Sequence, residues 1–192
     1  MNLSRPLLLA SNSPRRKELL ASLGIAFDVK VKEVQEDFPD HLKRAEIAEY
    51  LAAHKAEAYR ENLQGEAIIT ADTIVCLGDR VLNKPIDYAG AFEMLQALSG
   101  KAHEVITGVC ILTQEQKTVF HDTTTVYFKP LSETEISYYI KQYKPYDKAG
   151  AYGIQEWIGM VGIEKIEGSY FNVVGLPVQK LYAQLQALGL LA

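Results

Sequence analysis

Leu7–Leu20 reads LLLASNSPRRKELL, and the fold turns on how it is interpreted. Leu7, Leu8 and Leu9 form an apolar run suited to a short buried strand. Small and polar residues follow, Ala10 to Ser13. Ser13 suits a helix N-cap, and Pro14 suits the first helical position, where proline has no N–H to lose. Leu19, Leu20 and Leu23 supply an apolar face, and Gly24 a stop. The segment therefore predicts strand, tight turn, helix.

Charge adds a second signal. Arg15 and Arg16 fall in the first helical turn, where the macrodipole disfavours exposed cations by roughly 0.3–1 kcal/mol each. From these residues two readings stand. Either both guanidinium groups point into water, or an anion sits at the helix start. In the second case free N–H groups, serine hydroxyls and two guanidinium forks converge on a phosphate. A Walker loop is excluded, since no GxxxxGK is present.

Around this stretch lies a chain of 192 residues, enough for one large domain or two small lobes with a real core. With 48% hydrophobic and 23% charged residues, the composition is that of a soluble globular protein. A formal net charge of −4 without a basic block argues against duplex nucleic-acid binding, so a phosphorylated substrate would need a local basic pocket. Cys76 and Cys110 form no CxxC and read as buried small hydrophobes. No segment approaches a signal-peptide core or a membrane span, and a cytoplasmic protein without membrane contacts is expected.

Strands and helices alternate beyond Gly24. Ile25–Val31 reads as a second strand, followed by an acidic loop with Glu33, Glu36, Asp37 and Asp40. Such loops are usually solvated, although their carboxylates suit a divalent cation. Leu42–Asn62 reads as a long helix with Ile47, Ala48, Leu51, Ala52 and Tyr59 on its stripe. Lys55 falls on that stripe too; it snorkels, or it meets an anionic partner.

Ala67–Cys76, AIITADTIVC, is the most informative strand. Asp72 is the only charged residue between Ile68 and Val75. Aspartate is depleted in strands, and an unpaired buried carboxylate is costly. The favoured reading is a carboxylate aimed into a polar site and balanced by metal or lysine. Gly78-Asp79 predicts a hairpin turn. Its register pairs Leu77 with Arg80 and Val75 with Leu82, and extrapolates to Lys84 opposite Thr73, beside Asp72. Asp87 then caps a helix, Val105–Leu112 and Thr118–Phe128 form an antiparallel pair, and Ser132 with Glu135 forms a capping box. Pro145–Gln155 is a glycine-rich loop, in which Asp147 and Lys148 could form a local surface pair. Met160–Ile166 reads as a strand, and Val178, Leu181, Leu185 and Leu188 mark a closing structural helix. The sum is an α/β fold with a mixed sheet and flanking helices, in two lobes around a cleft.

The run Ala10-Ser11-Asn12-Ser13-Pro14-Arg15-Arg16, with Glu18-Leu19-Leu20, resembles the N-terminal signature of the Maf family of nucleoside triphosphate pyrophosphatases. The likeness continues through Ala71-Asp72-Thr73-Ile74-Val75, Lys84-Pro85 and Leu98-Ser99-Gly100. It resumes at Asp147–Gln155, Gly168-Ser169-Tyr170 and Val174-Gly175-Leu176-Pro177, so it spans essentially the whole chain, residues 1–192.

The resemblance implies a single elongated, two-lobed α/β domain with a central cleft, similar to inosine triphosphate pyrophosphatases and often a homodimer. It implies hydrolysis of a nucleoside triphosphate between its α and β phosphates, with a divalent cation (Mg, Mn or Co) as cofactor. By the same resemblance Asp72 is the proton acceptor, and Ser11, Arg16, Lys55 and Lys84 are polar positions around the triphosphate. Glu36, with Glu33 as rival, is the loop carboxylate that joins Asp72 as a metal or catalytic group. Arg15, Thr73 and Gln155 match the branch preferring dTTP and UTP. One departure is local: Glu156 and Trp157 follow Gln155, where glycine usually stands. Two alternatives accompany this reading. One is a non-hydrolytic nucleotide or phosphate sensor linked to cell division, against which Asp72 argues. The other is a pyrophosphatase for modified purine nucleotides, against which Arg15, Thr73 and Gln155 argue.

Overall fold

In the computed structural model, which describes residues 2–191, the opening segment takes the form its sequence predicts. Strand β1 (Leu7–Leu9) is buried throughout and leads into helix α1 (Pro14–Ser22). The Ser13 hydroxyl accepts the Arg16 N–H at 3.4 Å, Pro14 opens the helix, and Gly24 closes it with its N–H on the Ala21 carbonyl.

The expected strand Ile25–Val31 shrinks to β2 (Asp28–Val29), parallel to β1 in the register Leu8↔Asp28 and Leu9↔Val29. A side chain competes for the backbone that follows. The Tyr59 hydroxyl donates to the Lys30 carbonyl at 3.0 Å and accepts the Lys32 N–H at 2.7 Å. The long helix is also shorter than expected. Helix α2 (Ala45–Glu57) starts after Arg44, whose φ of 50° lies outside the helical region, and Arg60–Asn62 form a separate 3-10 turn.

Strand β3 (Ala67–Leu77) turns at Gly78-Asp79 into β4 (Arg80–Leu82). The predicted register holds, with Val75↔Leu82 and Leu77↔Arg80, and Gly78 takes the positive φ (59°) that such a turn demands. The ladder stops at Leu82, short of Lys84, and the Asn83 carbonyl accepts the Gly150 N–H at 3.4 Å. Helix α3 (Tyr88–Leu98) is capped by Asp87, and strands β5 (Ala102–Leu112) and β6 (Lys117–Phe128) follow. Helix α4 (Glu133–Tyr143) carries the complete Ser132/Glu135 capping box.

The expected strand Met160–Ile166 is corrected to helix α5 (Trp157–Gly162) followed by β7 (Ile163–Glu167). Met160 misleads because it is 74% exposed. Gly159 permits the helix: a methyl there would lie 1.8 Å from the Ile154 carbonyl oxygen. Helices α6 (Tyr170–Val174) and α7 (Val178–Ala187) complete the chain.

Among the described residues seven strands form one mixed sheet in the order β2-β1-β3-β5-β6-β7, with β4 on β3. The chain divides into two compact units. The first holds the chain up to Asp72, Thr107–Asp122 and the chain from Gly175 on; the second holds Thr73–Ile106 and Thr123–Val174. In the first unit strand parity sorts two cores. Leu9, Ile69 and Ile111 pack with Leu20 of α1 and Leu181 and Leu185 of α7. Leu8, Ile68, Cys110 and Leu112 pack with Ala52 and Ala56 of α2 and with Tyr59. In the second unit Val75, Leu95, Val126, Ile136, Tyr139 and Ile158 lie in one cluster. Among the described residues no helix is long and apolar enough to cross a membrane.

Candidate active site

Parity on β3 also places the carboxylate. Ile68, Thr70 and Asp72 alternate with residues of the opposite face, and all three point toward α2. Thr70 donates its hydroxyl to the Ala52 carbonyl at 2.6 Å. Further along α2, the Lys55 ammonium ion-pairs with Asp72, which is only 8% exposed. The same ammonium lies 2.8 Å from Glu36 Oε1. A lysine on an apolar stripe and an aspartate in an apolar strand thus resolve each other's desolvation. Glu36 comes from the segment between β2 and α2. That segment is docked by Tyr59 and by Lys32, whose ammonium donates to the Ala58 carbonyl at 2.6 Å. Glu33 and Glu36 are both exposed, and it is Glu36 that the ammonium holds.

Arg16 is used differently from an open phosphate fork. Its Nε donates to the Gly175 carbonyl and its Nη1 to the Ala71 carbonyl, each at 2.8 Å. The guanidinium therefore braces the residue preceding Asp72. Burial lowers its pKa, the Asp72 charge raises it, and neighbouring Arg15 lowers it again; an arginine stays charged throughout. Ser11 is buried and accepts the Ser13 N–H at 3.2 Å, so it shapes the turn before α1.

Thr73, Lys84 and Gln155 belong to the second unit. Thr73 continues β3 directly after Asp72, and Lys84 follows the end of β4. Gln155 is exposed at a turn tip and lines a groove of about 400 Å³ with Ile154, Met160, Ile163, Lys165 and Tyr170. Beside it stands a group that residue reading missed. Lys148 is buried, not a surface lysine; its ammonium lies 2.8 Å from Asp147 and 3.2 Å from Glu156. Glu156 also accepts the hydroxyl proton of Tyr139. The available signal was the carboxylate standing where the resemblance has glycine.

Among the described residues no group of three or more His, Cys, Asp or Glu forms a metal cage. Two carboxylates, Asp72 and Glu36, do converge on one positive charge. Such a set fits a hard divalent cation of the magnesium type, which takes one or two carboxylates and completes its shell with water and substrate phosphates.

Comparison with known proteins adds to this geometry. Residues 6–188 match the family model described as Maf-like protein. The dTTP/UTP pyrophosphatase of Bacteroides thetaiotaomicron is 53% identical over 184 residues, covering 95% of each chain. That of Phocaeicola vulgatus is 55% identical over 184 residues, again 95% of each. Among solved structures, the Staphylococcus aureus Ham1 protein aligns with a TM-score of 0.42 at 15% identity, over 65% of this chain and 72% of that one.

Proposed function

The chain belongs to the Maf family, and from that premise we propose that it hydrolyses dTTP and UTP to the nucleoside monophosphate and pyrophosphate. The observation that carries this reading is the Lys55 ammonium held between the Asp72 and Glu36 carboxylates. In this proposal residues 1–192 act as a single cytoplasmic domain, and Asp72 is the proton acceptor for the attacking water. Lys55 fixes Oδ1 of Asp72 and, with Arg16 and Lys84, contributes positive charge toward the triphosphate. Ser11 lies in the turn that receives a phosphate at the start of α1. Asp72 and Glu36 would hold the divalent cation, which when bound neutralises charge on phosphate oxygens. Arg15, Thr73 and Gln155 serve base preference; the Gln155 amide offers both a donor and an acceptor to the acceptor–donor–acceptor edge of uracil or thymine.

The test is pyrophosphate release from a panel of nucleoside triphosphates with magnesium, manganese or cobalt. Release from dTTP and UTP is expected, abolished by a chelator and restored by metal. Asp72→Asn should lower turnover by about 10²-fold or more, far more than it affects folding. Full activity in that variant would remove Asp72 from its role. Tight nucleotide binding with no release from any nucleotide would identify a sensor instead of an enzyme.

A further inference from the structure

Gln155 sits in a turn closed by the Glu156 N–H on the Gly153 carbonyl at 3.0 Å. Side chains at such a tip are ordinarily free to wander. This turn is tied a second time, from beneath. Tyr139 of α4 is fully buried; its hydroxyl accepts the Gly153 N–H at 3.0 Å and donates to the Glu156 carboxylate. One phenol therefore bridges the first and last residues of the turn. Lys148 sets its ammonium 3.2 Å from the other oxygen of Glu156 and so balances the carboxylate. Burial, followed by the bond to Glu156, holds the Tyr139 pKa well above its ordinary value, so the hydroxyl keeps the proton it donates. Glu156 stands at the N-cap of α5 yet caps nothing, because its side chain turns back to Tyr139. A methyl at Gly153 would lie 3.0 Å from both Gln155 Nε2 and Glu156 Cδ, so both side chains fold over that glycine.

We propose that Glu156 is a positioning residue for base selectivity: through Tyr139 and Lys148 it fixes the Gly153–Glu156 turn and aims the Gln155 amide at the base edge of a pyrimidine nucleoside triphosphate. This rests on the reading of Gln155 given above. A pre-set amide loses less rotational freedom on binding, and a base with the wrong edge leaves its buried donors and acceptors unmatched. None of the three supporting side chains is among the groups assigned to the phosphates, so the effect belongs to recognition and not to the chemical step.

The experiment compares kcat and KM for UTP and CTP, whose bases differ in their hydrogen-bonding edge. Glu156→Ala is expected to cut the UTP-over-CTP preference by about tenfold through KM, with kcat within about twofold of the parent. Glu156→Gln, which can still accept from Tyr139, should restore most of the preference. The double variant Glu156→Ala/Gln155→Ala should be no less selective than Gln155→Ala alone, the non-additivity expected of two residues acting as one. Loss of preference in Gln155→Ala but not in Glu156→Ala or Tyr139→Phe overturns this proposal and leaves the Gln155 reading standing. Unchanged preference in all of them, Gln155→Ala included, overturns both. An equal loss of kcat for both nucleotides in Glu156→Ala also overturns it. Should Glu156→Ala fail to fold, Tyr139→Phe and Glu156→Gln make the same comparison.

Discussion

A carboxylate inside a strand as buried as β3 needs a cation within reach, and Lys55 is that cation. Removing one partner of a buried pair costs about 3–5 kcal/mol, because the other charge is left uncompensated. Lys55→Met should therefore unfold at lower urea concentration and lose turnover. It should also regain more stability from millimolar magnesium than the parent does, since no ammonium then competes for Asp72 and Glu36. Urea titrations of both proteins with and without magnesium check this; equal gains would mean that the two carboxylates do not hold the metal. Half of this pairing was legible before folding. Asp72 asked for a positive partner and Lys55 for a negative one, each from its immediate neighbours. That they answer each other follows from the parity of β3 against α2. The Tyr139–Glu156–Lys148 group stayed hidden because Glu156 read as a departure from a motif and Lys148 as a surface lysine, and nothing near them in sequence points to Tyr139.

At the scale of elements, the approach of α2 to β5 is a tight constraint in the first unit. A methyl on Gly108 would lie 2.2 Å from the Ala48 carbonyl oxygen, which belongs to the helix backbone and cannot swing aside. Gly108→Ala is expected to cost about 3 kcal/mol or more in a urea melt, at the upper end of overpacking. Because Lys55 rides on the same helix, turnover should fall as well. A variant with parental stability would show that α2 can slide on the sheet. Local signals read well throughout: Ser13-Pro14, Asp87, Ser132 with Glu135 and the Gly78-Asp79 turn each act within a few residues. The elements that read poorly were decided from a distance. Strand β2 is cut short by Tyr59, and α5 replaces a strand because Gly159 lets it fold onto Ile154. Helix α6 centres on Asn172, buried by side-chain bonds to the Val105 carbonyl and the Thr124 hydroxyl, each 3.0 Å.

For the molecule as a whole, acid stability has two separable windows. His103 is 2% exposed, with Nε2 2.7 Å from the Tyr152 hydroxyl and Nδ1 without a hydrogen-bond partner among the described residues. Burial lowers its pKa from 6.5 to about 4. Between those values the unfolded chain binds the proton and the folded chain does not. Stability is thus full above pH 6.5 and declines by about 3 kcal/mol as pH falls toward 4. Glu57 and Glu135, held near 2 chiefly by bonds from Arg60 and Lys129, are lost only in a lower window, from about 4.5 downward. His103→Gln should flatten the upper window and leave the lower one, as read from chemical melts at stepped pH; an unchanged upper limb would assign it to other groups. A different consequence follows from Arg16, which is bound to a carbonyl 159 residues further along the chain. A ribosome delivers the arginine long before its acceptor. Every residue of the second unit, Thr73–Ile106 and Thr123–Val174, is already synthesised when Gly175 is added. The signature around Arg16 must therefore wait through the synthesis of the second unit, and its brace stays open until Gly175 has been added.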